Sequence, residues 1–189
     1  KISQIKESIS IRGDISSQYI SSLLMIAPVL PNGLKIDVMP PFYSKPYVMM
    51  TLNLMKKFGI KYDLSEDSIS INNQEYKSGS YKVESDWSAA SYWYSFISIN
   101  KKLKEIKLKG LREHSFQGDQ VIKKIMTLFN VETLYDKDGI ILRKKDFDCD
   151  YLELDFKDCP DLAQTVLVVA AFHKVKLKLY GVESLKIKE

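Results

Sequence analysis

Ile11-Arg12-Gly13-Asp14-Ile15-Ser16-Ser17-Gln18-Tyr19-Ile20-Ser21-Ser22-Leu23-Leu24 is the stretch whose reading decides the fold. Just before and into it, Ile9 and Ile11 alternate with Ser8, Ser10 and Arg12, the period of a strand with two unlike faces. Apolar residues then recur at Tyr19, Ile20, Leu23, Leu24 and Ala27, the spacing of one helical face. Asp14, Ser16 and Ser17 fall where the first turn of that helix has backbone N–H groups in need of acceptors. The same place is a ready site for an anion.

The pattern returns. Asp14 precedes ISSQYISSLL, Asp86 precedes WSAASYWYSF and Asp158 precedes CPDLAQTVLV, at offsets of 72 residues (86 − 14 and 158 − 86). Between them FGIKYDLSEDSISI and FNVETLYDKDGIIL lie 71 apart, counted from Phe58 to Phe129. A fixed period of this length marks a structural repeat. In order, one period reads as strand, helix, strand (33–39), the extended loop Pro40-Pro41-Phe42-Tyr43-Ser44-Lys45-Pro46, helix (47–58) and short strands (60–76). The unit is therefore β-α-β-α-β-β. The polar run Lys77-Ser78-Gly79-Ser80 suits a joint.

A second unit is expected as strand 81–84, helix 87–100, strand 104–108, helix 117–130 and a hairpin over 131–142 turning at Asp138-Gly139. A third begins with strand 151–156, helix 161–173 and strand 174–180. That last helix is apolar nearly all round, which predicts burial on every side and helices inside sheets. The 189 residues hold about 2.6 periods, so the chain reads as part of something longer.

With 45% hydrophobic and 28% charged residues, the composition is that of a globular protein. The net charge of +4 is spread over lysines alternating with apolar residues, as on strand exteriors, and no aromatic stacking positions interleave with them. A nucleic-acid surface is thereby disfavoured, whereas an anionic small molecule remains compatible. The run 162–172 is too short to cross a membrane. Cys149 and Cys159 lack neighbours spaced as metal ligands, and His114 and His173 are isolated, so no metal is expected and a reducing, cytoplasmic setting is.

Several helix starts admit two readings. Ser16-Ser17-Gln18 fits both a serine cap and a phosphate held by hydroxyls and first-turn amides. Ser44, with Lys45 and Tyr47, fits a turn as well as a second anion contact. Gln117-Gly118-Asp119 reads as a cap. Asp161 follows Cys159-Pro160 in a good helix start, but it sits over an apolar helix where an unpartnered carboxylate is costly. Arg12-Gly13-Asp14 spells an adhesion tripeptide, which alone carries little.

Taken together, SSQYISSLLMIAP, SKPYVMMTLNLMKKFG, VESDWSAASYWY, the QGD helix start, DCPDLAQT and SLKIKE, in this order, closely resemble the 5-enolpyruvylshikimate-3-phosphate synthase family. They resemble the sister transferases acting on UDP-N-acetylglucosamine less. The resemblance implies an inside-out α/β enolpyruvyl transferase fold of repeated β-α-β-α-β-β units with buried helices. It implies transfer of the enolpyruvyl group of phosphoenolpyruvate to the 5-hydroxyl of shikimate 3-phosphate, on the way to aromatic amino acids. It further implies a soluble monomeric parent enzyme in the cytoplasm, with those two small molecules as partners, no cofactor, no nucleic acid and no membrane. By motif, Ser16, Ser17, Gln18 and Ser44 match the residues that hold shikimate 3-phosphate. Asp161 matches the proton acceptor, which also binds the ring; Lys188 matches a substrate-binding lysine and Glu189 the proton donor. Ser184 stands where many members have an asparagine.

Residues 1–83 then correspond to the last repeat of one domain, and 84–189 to one complete and one partial repeat of the second. The family's phosphoenolpyruvate-clamping arginines are not in this stretch, so the chain by itself is expected to be inactive. The reading from another class is a phosphoester-binding or purely structural piece without turnover; a related enolpyruvyl transferase is a further alternative.

Overall fold

A computed structural model describes residues 6–146, 148–183 and 185. The chain forms two compact units, Lys1–Tyr81 and Lys82–Glu189. Each alternates strands and helices, an α/β architecture.

In the first unit, strand β1 (Ser8–Arg12) lies parallel to β2 (Leu34–Met39), and helix α1 (Ser17–Ile26) makes the crossover. Helix α2 (Lys45–Lys57) follows β2, and β3 (Asp63–Leu64) and β4 (Ser68–Ile71) complete a sheet of order β1-β2-β4-β3. The expected β-α-β-α-β-β order is present. Alternation along β2 decides which face is covered: Leu34, Ile36 and Val38 are buried, while Lys35 and Met39 are exposed. Ile20 and Leu24 of α1, with Val48, Leu52 and Met55 of α2, close the same core. Each such fully buried aliphatic side chain contributes about 1.5–3 kcal/mol.

The second unit holds helix α3 (Trp87–Ile99), strand β5 (Glu105–Lys109), helix α4 (Ile122–Thr127) and the hairpin β6 (Val131–Asp136) with β7 (Gly139–Lys144). Its sheet runs β5-β7-β6, antiparallel throughout. Strand β8 (Tyr151–Asp155), helix α5 (Ala163–His173) and β9 (Lys176–Tyr180) form a second crossover, with β8 parallel to β9. Trp87, Tyr94, Phe129, Phe156 and Val166 share one core.

One backbone hydrogen bond recurs at the repeat period. A residue ahead of each crossover helix donates to the end of the strand that the helix leads to, or to the residue just past it: Gly13 N to Met39 O at 2.8 Å, Ser85 N to Gly110 O at 2.9 Å, and Phe156 N to Tyr180 O at 2.9 Å.

Three expectations are corrected. Residues 81–84 form no strand. The carbonyl of Lys82, which a ladder with β5 would use, instead accepts from the Arg112 guanidinium at 2.7 Å, and only Ser85 reaches the end of β5. The helix expected over 117–130 is a short 3₁₀ turn, Gly118–Val121, followed by six residues of α4. Helix α5 is not covered all round: Val166, Val169 and Ala170 are buried, but Leu167, Val168 and Phe172 are exposed, Val168 by 58%. Within its unit, α5 packs against α3 as its principal helical neighbour, and one helix covers only part of another's circumference. Tyr92, Trp93 and Phe96 of α3 are likewise exposed.

At the far ends of α3 and α5, Ser98 Oγ and His173 Nε2 lie 2.9 Å apart. Burial, and then the charge of Lys144, hold His173 below its ordinary value of 6.5, against a smaller opposite effect from Ser98. The folded state therefore binds fewer protons here than the unfolded chain just below pH 6.5. The contribution of His173 to stability is complete above that pH and declines as pH falls below it. Urea melts at pH 5.5 and 7.5 should show a smaller loss of stability on acidification for His173→Gln than for the unaltered chain; an equal loss contradicts this.

Candidate active site

Parallel strands fix where the helices begin. β1 and β2 point the same way, so the helices that follow them both start at the same sheet edge, where ligands gather in α/β folds. Tyr43 N donates to Gly13 O at 2.9 Å, which ties the loop before α2 to the turn before α1. Farther along, Thr51 Oγ1 donates to Ser21 Oγ at 3.2 Å, so the helices run side by side from those starts.

Ser16 is the cap of α1: its backbone is extended (φ −74°, ψ 126°), and its Oγ accepts from Gln18 N at 3.3 Å. Ser17 opens the helix, half-buried, and Gln18 is exposed. Ser44 occupies the corresponding place before α2, buried and in the left-handed region (φ 57°, ψ 27°), with no bond from its side chain to its own helix. A serine held there costs about 1–2 kcal/mol, and such strain collects at functional sites. Lys45 follows, its Nζ 5.7 Å from the centroid of the Phe42 ring. The structure thus gathers the starts carrying Ser16, Ser17, Gln18 and Ser44. Arg12 and Asp14 bind each other through two hydrogen bonds of 2.9 and 2.7 Å. Hydrogen bonding to Arg12 lowers the Asp14 pKa and raises that of Arg12.

In the second unit the carbonyl equivalent to Gly13 O is Ser85 O, and a side chain takes the place of the Tyr43 backbone. Gln117 Nε2 donates to Ser85 O at 2.9 Å, and Gln117 Oε1 accepts from Trp87 N at 2.8 Å. Gln117 therefore caps α3 rather than its own helix, with Asp86 Oδ1 accepting from Ser88 N at 2.8 Å beside it. Asp119, 1% exposed, accepts from Ser88 Oγ. This network escaped the sequence reading; its available signal was the period itself, which puts Ser85 at the place of Gly13.

Asp161 lies in the 3₁₀ turn Pro160–Leu162 that leads into α5, and it is exposed rather than pressed onto apolar residues. Beside it, Cys159 is buried. Burial first, then the carboxylates of Asp119, Asp158, Asp155 and Asp161, push its thiol up to about 12, so it carries no thiolate near neutrality. Cys149 and Cys159 are both free. Lys188, Glu189 and Ser184 lie outside the described residues. Among the described residues no His, Cys, Asp and Glu cluster is placed to hold a metal, and no helix is long and apolar enough to cross a membrane.

Helix starts gathered by parallel strands and bearing hydroxyls define a repeat-built α/β protein. The chain belongs to the EPSP synthase (3-phosphoshikimate 1-carboxyvinyltransferase) family, whose profile matches residues 2–189. It is 44% identical to the 3-phosphoshikimate 1-carboxyvinyltransferase of Bacteroides fragilis over 182 residues, covering 96% of this chain and 44% of that protein. The namesake from Methanocaldococcus jannaschii is 36% identical over 183 residues, covering 96% and 42%. The chain thus spans under half the length of these relatives. A solved EPSP synthase from Acinetobacter baumannii superposes with a TM-score of 0.44 at 12% identity, covering 96% of this chain and 60% of that one; the family assignment does not rest on it.

Gly13 is the tightest point of the first cluster. A Cβ there would stand 2.8 Å from Pro41 O and 2.9 Å from both Phe42 Cα and Val38 Cγ1. At Gly79 it would meet only the Phe58 ring, 3.8 Å away. Gly13→Ala should therefore destabilise the first unit by about 1–3 kcal/mol in urea unfolding, while Gly79→Ala changes it by under about 1 kcal/mol. Equal effects contradict the close approach.

Proposed function

We propose that the protein is the middle of an enolpyruvyl transferase that joins phosphoenolpyruvate to the 5-hydroxyl of shikimate 3-phosphate and releases phosphate. In this reading residues 1–83 are the last repeat of one domain, and 84–189 are one whole and one partial repeat of the other. The observation that carries it is the pair of helix starts fastened through Tyr43 N and Gly13 O, which suits a single phosphate. Family membership and the relatives' shared name support the reaction class. A cytoplasmic, monomeric parent enzyme is part of this reading.

The chemistry assigns work to each residue. Ser16, Ser17, Gln18 and Ser44 hold the phosphate of shikimate 3-phosphate through hydroxyls and first-turn amides. Attack of the 5-hydroxyl on C2 of phosphoenolpyruvate requires the hydroxyl to lose a proton and the methylene carbon to gain one. Asp161 takes the first and Glu189 gives the second, with Lys188 as charge partner. Loss of phosphate and of a methyl proton from the tetrahedral adduct then regenerates the double bond. No cofactor or metal enters these steps.

In the complete enzyme, Ser17→Ala removes a bond to a charged oxygen worth about 1.5–3 kcal/mol, so KM for shikimate 3-phosphate should rise about ten- to hundredfold. KM for phosphoenolpyruvate should stay within about twofold. Equal effects on both substrates, or none, overturn the assignment. In this reading the arginines that clamp phosphoenolpyruvate are not among these 189 residues, and an assay of phosphate release with both substrates should find the chain alone silent. Turnover near the ordinary enzymatic value of about 10 per second contradicts this.

A further inference from the structure

Helix α3 presents serines at 88, 91, 95 and 98, spaced three and four apart, which places them on one stripe. The stripe lies against α5, and Ser91, Ser95 and Ser98 reach across to it. Ser88 Oγ donates to the buried Asp119 carboxylate, and Ser88 O accepts from Ser91 Oγ at 2.6 Å. Ser91 Oγ stands 3.3 Å from Thr165 Oγ1, and Ser95 Oγ donates to Thr165 O at 3.5 Å. Ser98 meets His173 two turns farther on. Ser91 and Thr165 are 2% and 6% exposed, so the pairing is made away from water.

A hydroxyl left unpaired between two apolar helices costs about 1–3 kcal/mol. Turning α5 by one residue, or sliding it by one turn, would break the contacts of Thr165 and His173 with α3 together. The seam therefore fixes the rotation and height of α5 against α3. Asp161 lies four residues before Thr165, in the 3₁₀ turn that leads directly into α5.

We propose that Asp119, Ser88, Ser91 and Thr165 are positioning residues for Asp161: the hydrogen-bond chain from Asp119 through Ser88 and Ser91 to Thr165 sets where the start of α5 stands. The proposal rests on the role given to Asp161 above. Proton transfer tolerates displacement of the base by only a fraction of an ångström, so loosening this register lowers the rate of the chemical step without removing any group that binds substrate.

The test uses the complete parent enzyme. Thr165→Val keeps the shape of the side chain, removes the hydroxyl and leaves Ser91 bonded to Ser88. It should lower kcat on the order of ten- to hundredfold with both KM values within about twofold. Thr165→Ser should restore kcat to within about twofold of the unaltered enzyme. In an Asp161→Ala background, Thr165→Val should change the residual rate by less than about twofold, because the group it positions is gone. If Thr165→Val does not fold, Ser91→Ala is put through the same comparison. An unaltered kcat in Thr165→Val beside an inactive Asp161→Ala overturns the positioning role and leaves the proposed function standing. Full activity of Asp161→Ala overturns the role of Asp161 itself, and the positioning role with it. A loss as large in the Asp161→Ala background as without it means that the seam acts on stability alone, and also overturns the proposal.

Discussion

The hydrogen bond from Gly13 N to Met39 O, repeated as Ser85 N to Gly110 O and Phe156 N to Tyr180 O, is the constraint on which the described structure depends. A parallel pair of strands holds its neighbours in line but leaves their ends free to splay. Where such a pair is present, as in β1 with β2 and β8 with β9, fastening the two ends fixes where the following turns begin. In the first unit a second bond, Tyr43 N to Gly13 O, draws the two starts together, and only a residue without Cβ leaves room for it. The second unit reaches the same end by another route, with the Gln117 side chain bridging Ser85 and Trp87. What recurs is the position of the helix starts rather than the atoms that hold them.

That geometry underlies the anion site proposed for the first unit. Helix starts offer unpaired N–H groups and the positive end of the backbone dipole, at a fixed site and without a metal. It also explains where strain is placed. Ser44 is the residue held in a left-handed conformation at the start of α2, and Ser16 opposite it is an ordinary cap. Along the helices, hydroxyls are paired: Ser91, Ser95 and Ser98 of α3 meet Thr165 and His173 of α5. Cys159, surrounded by carboxylates and buried, is kept as an inert thiol.

Much of this was legible in the sequence, because period and polarity are local properties. The 72-residue spacing of Asp14, Asp86 and Asp158 exposed the repeat, the alternation in β1 and the helical spacing in α1 gave the elements around Ser16, Ser17 and Gln18, and the proline-rich loop before the second helix placed Ser44. What was hidden depends on partners distant in the chain. Residues 81–84 have the alternation of a strand, yet Arg112 occupies the carbonyl that pairing would need. Gln117 has the place of a cap and uses it on a neighbouring helix. Helix α5 is apolar all round, and that composition says nothing of how many neighbours cover it in this chain. The conformation of Ser44 has no local signal at all, since nothing in Tyr43-Ser44-Lys45 demands a left-handed backbone.

Whether the paired helix starts of the first unit receive a phosphate is decided most directly on the chain itself. Titrating the isotopically labelled protein with shikimate 3-phosphate, and following each backbone amide by NMR with inorganic phosphate as the comparison, reports the site residue by residue. The expected result is a saturable shift concentrated at Ser17, Gln18 and Lys45, with tighter saturation for shikimate 3-phosphate than for phosphate. Shifts that grow linearly and spread over the strand lysines, leaving Ser17 and Gln18 unmoved, would contradict a phosphate site at those helix starts.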